Sequence, residues 1–224
     1  NDPTRDADAQ KCSLMEGING GLNHSPPMSW KCWSSQGASS AGKSNISPTP
    51  SVAAIDLYMQ DPGNDTTLGH RRWLLPDPLG PVGIGSSNAA SCLQVIGGSG
   101  KAGKPWLAYP PPGTVPLDAA KIADKSGWSL QSDSVSLSGA KATVTENGAD
   151  KPVAVASLQG GYGSKEAIKI TPQGWGVSAG KTYAVTITGA SMPIAYTFDV
   201  VACPLRHGAA RRTGAARLTS RCGT

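Results

Sequence analysis

The chain has few aromatic and few charged residues. Of its 224 residues, 5% are aromatic, with a single phenylalanine, and 16% are charged. Turn-forming residues are plentiful instead, with 28 glycines and 18 prolines. This composition is typical of a loop-rich and strand-rich globular protein rather than a helical bundle. The length allows two domains of roughly 100 residues each.

Long apolar runs are absent from the sequence. No run approaches the ~18 residues that a membrane-spanning helix requires, so we expect no transmembrane segment. The chain also does not start with the basic residues and apolar stretch of a signal peptide. Such a peptide is therefore either absent or already removed.

Acidic residues are missing from the last 21 positions, 204–224. The net charge of +5 comes from the arginines of this tail, which are Arg206, Arg211, Arg212, Arg217 and Arg221. The rest of the chain has 15 basic and 15 acidic residues and is neutral. A neutral body lacks the basic face that nucleic-acid binding requires, so we expect no nucleic-acid partner. The tail has no apolar pattern, which predicts disorder.

The five cysteines never occur in the C-x-x-C spacing of zinc ribbons and thioredoxin-like centres. Because they are spread over both halves, they favour two disulfides and one free thiol in an oxidising compartment. We expect the pairs Cys12–Cys32 and Cys92–Cys203, with Cys222 unpaired. The spacing alone does not determine the pairing, and a reduced chain with five buried thiols is the alternative.

The first half mixes helical and irregular patterns. Apolar residues at three- and four-residue steps predict helices at 9–22 and 51–60, and a short helix or turn follows at 69–75. Two strand-like runs come next, at 81–85 and 91–96. The segment 25–51 is rich in serine, glycine and proline and is expected to be a long loop.

In the second half the period of the apolar pattern changes to two. Seven short alternating runs occur, at 128–132, 135–137, 142–145, 153–157, 167–171, 183–188 and 194–201. No helix is predicted here. Seven strands in about 90 residues indicate a β-sandwich, and the surroundings of Tyr183 suggest the tyrosine corner of an immunoglobulin-like domain. The run Pro110–Pro112 is interpreted as a semi-rigid spacer between the two domains.

Two of the three histidines stand in unusual settings. His24 follows a predicted helix end and precedes two prolines, and His70 follows a glycine and precedes Arg71 and Arg72. Two imidazoles that meet in a cleft can bind a divalent metal or exchange a proton with a substrate. The third histidine, His207, lies in the tail. The arginine pair is interpreted as exposed, or as salt-bridged to Asp56 or Asp77, and the alternative is that it binds an anionic ligand.

The order of these motifs resembles the CAP superfamily of cysteine-rich secretory, antigen and pathogenesis-related proteins, most closely a bacterial-type branch. The matching segments are Asn-His-Ser-Pro-Pro at 23–27, Ser-Asn at 44–45, Ala-Ile-Asp-x-Tyr-Met-x-Asp-Pro-Gly at 54–63, and Gly-His-Arg-Arg-Trp-x-Leu-Pro at 69–76. The resemblance covers roughly residues 9–97.

The resemblance implies an α/β fold, an α-β-α sandwich, here without the family's first helix. In the family, two histidines and two acidic residues line a central cavity that can hold zinc or another divalent cation. His24 and His70 match the two histidines, which would be the metal ligands. Asp61 stands in place of one glutamate, and Ser44 replaces the other, which weakens both metal binding and proteolytic chemistry.

The sequence therefore predicts a CAP-like domain at 1–108, an all-β immunoglobulin-like sandwich at 109–203, and the tail at 204–224. The expected function is that of a secreted protein whose cleft binds an extracellular ligand, namely a lipid, a polysaccharide or a protein. One alternative is a hydrolase that uses His24, His70, Asp61 and Ser44. The other is a structural extracellular module.

Overall fold

A computed structural model describes residues 2–203; the expected disorder of the tail and the unpaired Cys222 lie outside this range. Its helices are α1 (Pro3–Asn19), α2 (Ser35–Ala41), α3 (Ala53–Gln60), α4 (Gly69–Leu74) and α5 (Leu117–Ser126). Its strands are β1 (Ser44–Ser47), β2 (Gly83–Ser86), β3 (Ser91–Gln94), β4 (Leu107–Tyr109), β5 (Gly113–Pro116), β6 (Trp128–Ser132), β7 (Lys141–Glu146), β8 (Ala149–Lys151), β9 (Val153–Ser157), β10 (Glu166–Pro172), β11 (Lys181–Thr188) and β12 (Ile194–Val201). The fold is mixed α/β.

Residues 2–104, the N-terminal unit, form three layers around an antiparallel sheet with the strand order β1-β3-β2. Side chains of a strand alternate between the two faces of a sheet. Cys92 of β3 accordingly clusters with Ala9 and Cys12 of α1, while the next residue, Leu93, packs with Tyr58 of α3. Helices therefore cover both faces of this sheet.

The expected long loop at 25–51 contains both a helix and a strand. Ser34 caps α2, because its hydroxyl accepts a hydrogen bond from the backbone N–H of Gly37 at 3.1 Å. Serine and glycine are weak helix formers, so the sequence pattern did not indicate this helix. Packing of α2 against α1 and the sheet stabilises it instead.

A disulfide joins the first helix to the central strand of the sheet. Cys12 pairs with Cys92, 80 residues away, and Cys203 is a free, exposed thiol. Both predicted pairs, Cys12–Cys32 and Cys92–Cys203, are therefore wrong. The pairing follows from the way α1 lies against β3, which spacing along the chain does not reveal.

Residues 105–203, the C-terminal unit, form two sheets packed face to face. One has the order β4-β6-β10-β9 and the other β5-β12-β11-β7-β8. Trp128 of β6 lies edge-on to Phe198 of β12 with 5.2 Å between ring centroids, and Tyr183 of β11 stacks on the same phenylalanine at 5.2 Å. These rings fill the core between the sheets.

Six of the seven predicted alternating runs form strands, and the seventh does not. Val135 and Leu137 are buried but lie in the loop between β6 and β7. The expectation of no helix in this half is wrong, because α5 lies between β5 and β6. Its buried face is made of small residues, including Ala120 and Ala123, which give little hydrophobic contrast in the sequence.

The proline run is not a spacer between the domains. It connects β4, which pairs with β6, to β5, which pairs in parallel with β12 of the other sheet. Pro110–Pro112 therefore carries the chain from one sheet of the sandwich to the other. The sandwich begins with β4, ahead of the domain boundary predicted at residue 109.

The two arginines of α4 join the two units. Arg71 donates from Nη1 to the carbonyl oxygen of Gly127 at 2.6 Å and from Nη2 to the hydroxyl of Ser126. Arg72 donates from Nη1 to the carbonyl oxygen of Gln159 at 2.5 Å. Both side chains are almost completely buried. Among residues 2–203 neither arginine forms a salt bridge, so the interpretation as an exposed or salt-bridged pair is wrong.

Burial without an acidic partner has an electrostatic consequence. Desolvation lowers the pKa of Arg71 to about 10, opposed by the field of Tyr109 and Asp61, and it lowers the pKa of Arg72 as well. The guanidinium group of Arg71 therefore remains charged at neutral pH. Hydrogen bonds to backbone oxygens of the C-terminal unit replace part of the lost hydration, while Nε of Arg72 has no hydrogen-bond partner within residues 2–203.

Across residues 2–203, the helices are all too short or too polar to cross a lipid bilayer.

Candidate functional site

A cavity of about 330 Å³ opens in the N-terminal unit beside α4. His24, His70 and Ser44 all line it, so the structure brings together three of the four predicted site residues. The fourth, Asp61, is fully buried and is hydrogen-bonded to His70. Residues from five separate segments of the chain meet at this point.

Asp61 positions His70 by two hydrogen bonds. Its Oδ1 lies 2.7 Å from Nδ1 of the imidazole, and its Oδ2 accepts the backbone N–H of His70 at 2.9 Å. Asn64 also donates to Oδ1, at 2.7 Å. A carboxylate oxygen facing Nδ1 favours a proton on that nitrogen, which leaves Nε2 as an acceptor.

The position of Asp61 depends on an unusual backbone conformation. Asp61 ends α3 in the left-handed region, with φ of 54°, and its N–H bonds to the carbonyl oxygen of Leu57. Aspartate adopts this region more readily than most residues. Helix α3 therefore stops at Asp61, and the turn that follows brings His70 back to its carboxylate.

His24 is fixed in the same manner on another segment. Its Nδ1 lies 2.9 Å from the carbonyl oxygen of Ala41, at the end of α2. Since a carbonyl oxygen only accepts, Nδ1 carries the proton. Gly42 allows this approach, because a Cβ there would lie 3.2 Å from the carbonyl oxygen of His24. Within residues 2–203, Nε2 of each imidazole has no protein hydrogen-bond partner.

Ser44 is nearly buried at the edge of the cavity, and its hydroxyl lies 3.5 Å from that of Ser40. No hydrogen bond joins Ser44 to His24 or His70 in the described part of the chain. Its neighbour Asn45 instead donates to the carbonyl oxygen of His70 at 2.9 Å. Ser44 thus contributes a hydroxyl to the cavity wall but is not paired with a base.

The side chains present do not make a complete metal site. A catalytic zinc ion usually takes three protein ligands. Here His24 and His70 offer one free imidazole nitrogen each, and Asp61 is already bonded to His70. Residues 2–203 contain no group of three His, Cys, Asp or Glu residues placed to hold a metal ion. The predicted zinc ligands His24 and His70 remain a prediction.

Several cavity residues were not predicted from the sequence. Asn64 and Thr67 come from the turn before α4, and Tyr162 comes from the C-terminal unit. Trp73 of α4, which belongs to the Gly-His-Arg-Arg-Trp motif, also lines the cavity. The one sequence signal for Tyr162 is its place in the glycine-rich run Gln-Gly-Gly-Tyr-Gly-Ser at 159–164. Nothing in that run indicates a position in the same cavity as His70, which lies far earlier in the chain.

A buried carboxyl group supports the segment that carries His24. Glu16 of α1 is 1% exposed, and its Oε2 accepts the backbone N–H of Asn23 at 3.0 Å. Burial raises the pKa of Glu16 to about 7, although the hydrogen bond from Asn23 acts in the opposite direction. Its protonation therefore changes close to neutral pH, and its partner Asn23 directly precedes His24.

No protein-family model matches the chain, and no curated protein sequence matches it.

Proposed function

We propose that the chain is an extracellular protein of the CAP type with an immunoglobulin-like second domain, whose cavity binds a ligand between His24 and His70. One observation carries the proposal. Both imidazoles are held at Nδ1 by an oxygen of the protein, so that both Nε2 atoms are left for a ligand. Such a pair offers two fixed acceptors for the hydroxyl or amide hydrogens of a polar molecule.

The CAP-type assignment rests on the order of the motifs together with the position of their residues. The N-terminal unit has helices on both faces of its sheet, as the resemblance implies. His24 and His70, which the resemblance pairs, line one cavity. Asp61, the counterpart of a family glutamate, is bonded to the second histidine.

The immunoglobulin-like assignment rests on strand order. The sheet β4-β6-β10-β9 corresponds to the order A-B-E-D, and β12-β11-β7 of the other sheet corresponds to G-F-C. Tyr183 at the start of β11 accepts the backbone N–H of Ser178 through its hydroxyl at 3.0 Å. This bond to the backbone a few residues upstream is the feature of a tyrosine corner.

An extracellular location is supported by the disulfide between Cys12 and Cys92. Disulfides persist in oxidising compartments and are rare in the cytosol. The bond joins two fully buried side chains of the N-terminal core. An extracellular ligand or protein is thus the class of partner that we propose.

Binding is favoured over hydrolysis by the surroundings of Ser44. A serine nucleophile is activated by a hydrogen bond to a base. Ser44 contacts Ser40 instead of an imidazole. The cavity is equipped to hold a ligand, and it lacks an activated nucleophile among the described residues.

The test follows the two histidine side chains by ¹⁵N NMR during titration with four probes. These are the tetramers of N-acetylglucosamine and of glucose, phosphatidylcholine–cholesterol vesicles, and zinc chloride. We expect saturable shifts of His24 and His70 with one probe. The double variant His24→Gln, His70→Gln lacks both signals, so its binding of that probe is measured by calorimetric titration, and we expect it to be lost. The exposed change Lys141→Gln is the control. Binding that survives in the double variant, or no response to any probe, would overturn the proposal.

A hydrolase is the second candidate, because Asp61 and His70 are arranged like two members of a catalytic triad. His70 would be the general base, and Asp61 would hold its ring in orientation. Water could then be the nucleophile that His70 activates. Release of fluorescent peptides from labelled casein, or hydrolysis of p-nitrophenyl acetate, would support it if His70→Gln and Asp61→Asn both abolish the activity. Turnover that persists in both variants would exclude this role.

A further inference from the structure

The C-terminal unit supplies part of the cavity wall. Tyr162 is the one cavity-lining residue, among those described, that comes from the β-sandwich. Its ring packs on Gly69, where an added Cβ would lie 2.7 Å from Cδ1 of the tyrosine. Gly69 directly precedes His70, and Tyr162 and His70 line the same cavity. Tyr162 remains 36% exposed, which leaves part of the ring free for a ligand.

The loop at 159–164 carries Tyr162, and both of its ends are hydrogen-bonded to the N-terminal unit. Arg72 donates to the carbonyl oxygens of Gln159, at 2.5 Å, and of Ser164, at 2.9 Å. The backbone N–H of Gln159 donates to the carbonyl oxygen of Thr66 at 2.9 Å. The position of Tyr162 relative to His70 is therefore set by bonds that cross between the two units.

Glycines make this attachment possible. Gly163 adopts φ of 59°, and a Cβ there would lie 2.2 Å from the carbonyl oxygen of Arg72. Gly160 and Gly161, by contrast, have open space around them. The loop is thus tightly packed after Tyr162, at Gly163. Before Tyr162, at Gly160 and Gly161, it is unobstructed, and a ligand has room to approach there.

The lining of the cavity limits the chemistry of the ligand. Among residues 2–203, no aspartate, glutamate, lysine or arginine lines the cavity, which disfavours a charged ligand. Imidazole, amide and hydroxyl groups line it together with apolar side chains, around a volume of about 330 Å³. A lipid tail would need a longer and more apolar channel, whereas this volume lies at the small end of ligand pockets.

We propose that this site is shared by the two units and binds a sugar ring of a neutral polysaccharide, with Tyr162 as the aromatic surface on which the ring lies. The inference rests on the proposed binding function and deepens it. The polar groups of His24, His70 and Asn64 are suited to sugar hydroxyls. Tyr162 and Trp73 are suited to the apolar face of the ring. The β-sandwich is then a part of the binding site rather than a separate adhesion module.

The test is calorimetric titration of the full chain with the tetramers of N-acetylglucosamine, glucose and mannose. We expect one of them to bind and Tyr162→Ala to weaken it by about tenfold, the usual size of one aromatic contact. Tyr162→Phe keeps the ring and should bind like the unchanged protein. Met192→Ala, an exposed apolar change on the same unit, is the control. Thermal unfolding of each variant verifies folding.

The outcomes separate this inference from the proposed function. If Tyr162→Ala binds as the unchanged protein does while His24→Gln, His70→Gln loses binding, the histidine site stands and the shared site is wrong. If none of the three tetramers binds at millimolar concentration while vesicles or zinc shift the histidine signals, the sugar class is overturned. If Tyr162→Ala and Tyr162→Phe both bind the sugar more weakly and both fold normally, Tyr162 acts through a hydrogen bond from its hydroxyl. Stacking of the sugar on the ring would then be wrong.

Discussion

Asp61 contacts His70 twice, through the imidazole Nδ1 and through the backbone N–H. One buried carboxylate therefore determines both the ring orientation and the start of α4. The next two residues of that helix, Arg71 and Arg72, bind the C-terminal unit. The site and the junction between units consequently share three consecutive residues, and a change in one is expected to reach the other.

Replacement of Asp61 by asparagine should change the tautomer of His70. Asparagine has one acceptor oxygen where aspartate has two, so one of the two bonds to His70 is lost. We expect a larger Nε2-protonated fraction in a ¹⁵N NMR spectrum and a loss of about 2 kcal/mol in the free energy of unfolding. Asp65→Asn, four residues away and largely exposed, is the control. An unchanged tautomer in Asp61→Asn would contradict the assigned role.

Replacement of Arg72 by lysine should loosen the junction between the units. A lysine ammonium keeps the charge but does not reproduce the fork that reaches Gln159 and Ser164 together. We expect a loss of about 3 kcal/mol in urea unfolding. Faster hydrogen exchange is expected at the Gln159 amide. Lys121→Arg on the exposed face of α5 is the control. If the Gln159 amide of Arg72→Lys is as protected from hydrogen exchange as in the unchanged protein, the guanidinium group is not needed to hold the junction.

Glu16 should make stability depend on pH. Its pKa is raised on folding, so the folded chain binds a proton more tightly than the unfolded chain does. Stability should therefore fall as pH rises from about 4.5 to about 7, by up to ~3 kcal/mol. Glu16→Gln removes this titration and should be more stable than the unchanged protein at pH 8, with little difference at pH 4.5.

Unfolding in urea at several pH values measures this effect, and the exposed change Asp150→Asn serves as the control. A Glu16→Gln variant whose stability relative to the unchanged protein is the same at pH 4.5 and pH 8 would show that Glu16 does not titrate in this range.

The disulfide between Cys12 and Cys92 should contribute strongly to stability. It closes a loop with a sequence separation of 80 residues. Loop-closure entropy predicts a contribution of about 4 kcal/mol. Cys12→Ala, Cys92→Ala should lose this amount in chemical denaturation, whereas Cys203→Ser should leave stability unchanged. A digest of the non-reduced protein should contain a peptide pair joined through Cys12 and Cys92, and a pair joining Cys12 to Cys32 instead would contradict the fold.

Much of the C-terminal unit could be predicted from its sequence. Alternation with period two is a local property, and it located six strands, including β6, β9 and β12 with their observed bounds. Helices α2 and α5 were missed because serine, glycine and alanine give weak periodic contrast. Tertiary packing stabilises both of them.

The sequence by itself singled out four residues that the structure brings together at the cavity. His24, His70, Asp61 and Ser44 were identifiable from motif order, since motifs are local patterns. Only the tertiary structure decided what these residues face and what completes the cavity. Four features depend on contacts between segments that are apart in the sequence. They are the hydrogen bonds from His70 to Asp61, the Cys12–Cys92 disulfide, the burial of Arg72 and the position of Tyr162 at the cavity. Such contacts follow from how helices and sheets pack against each other, which no short stretch of sequence specifies.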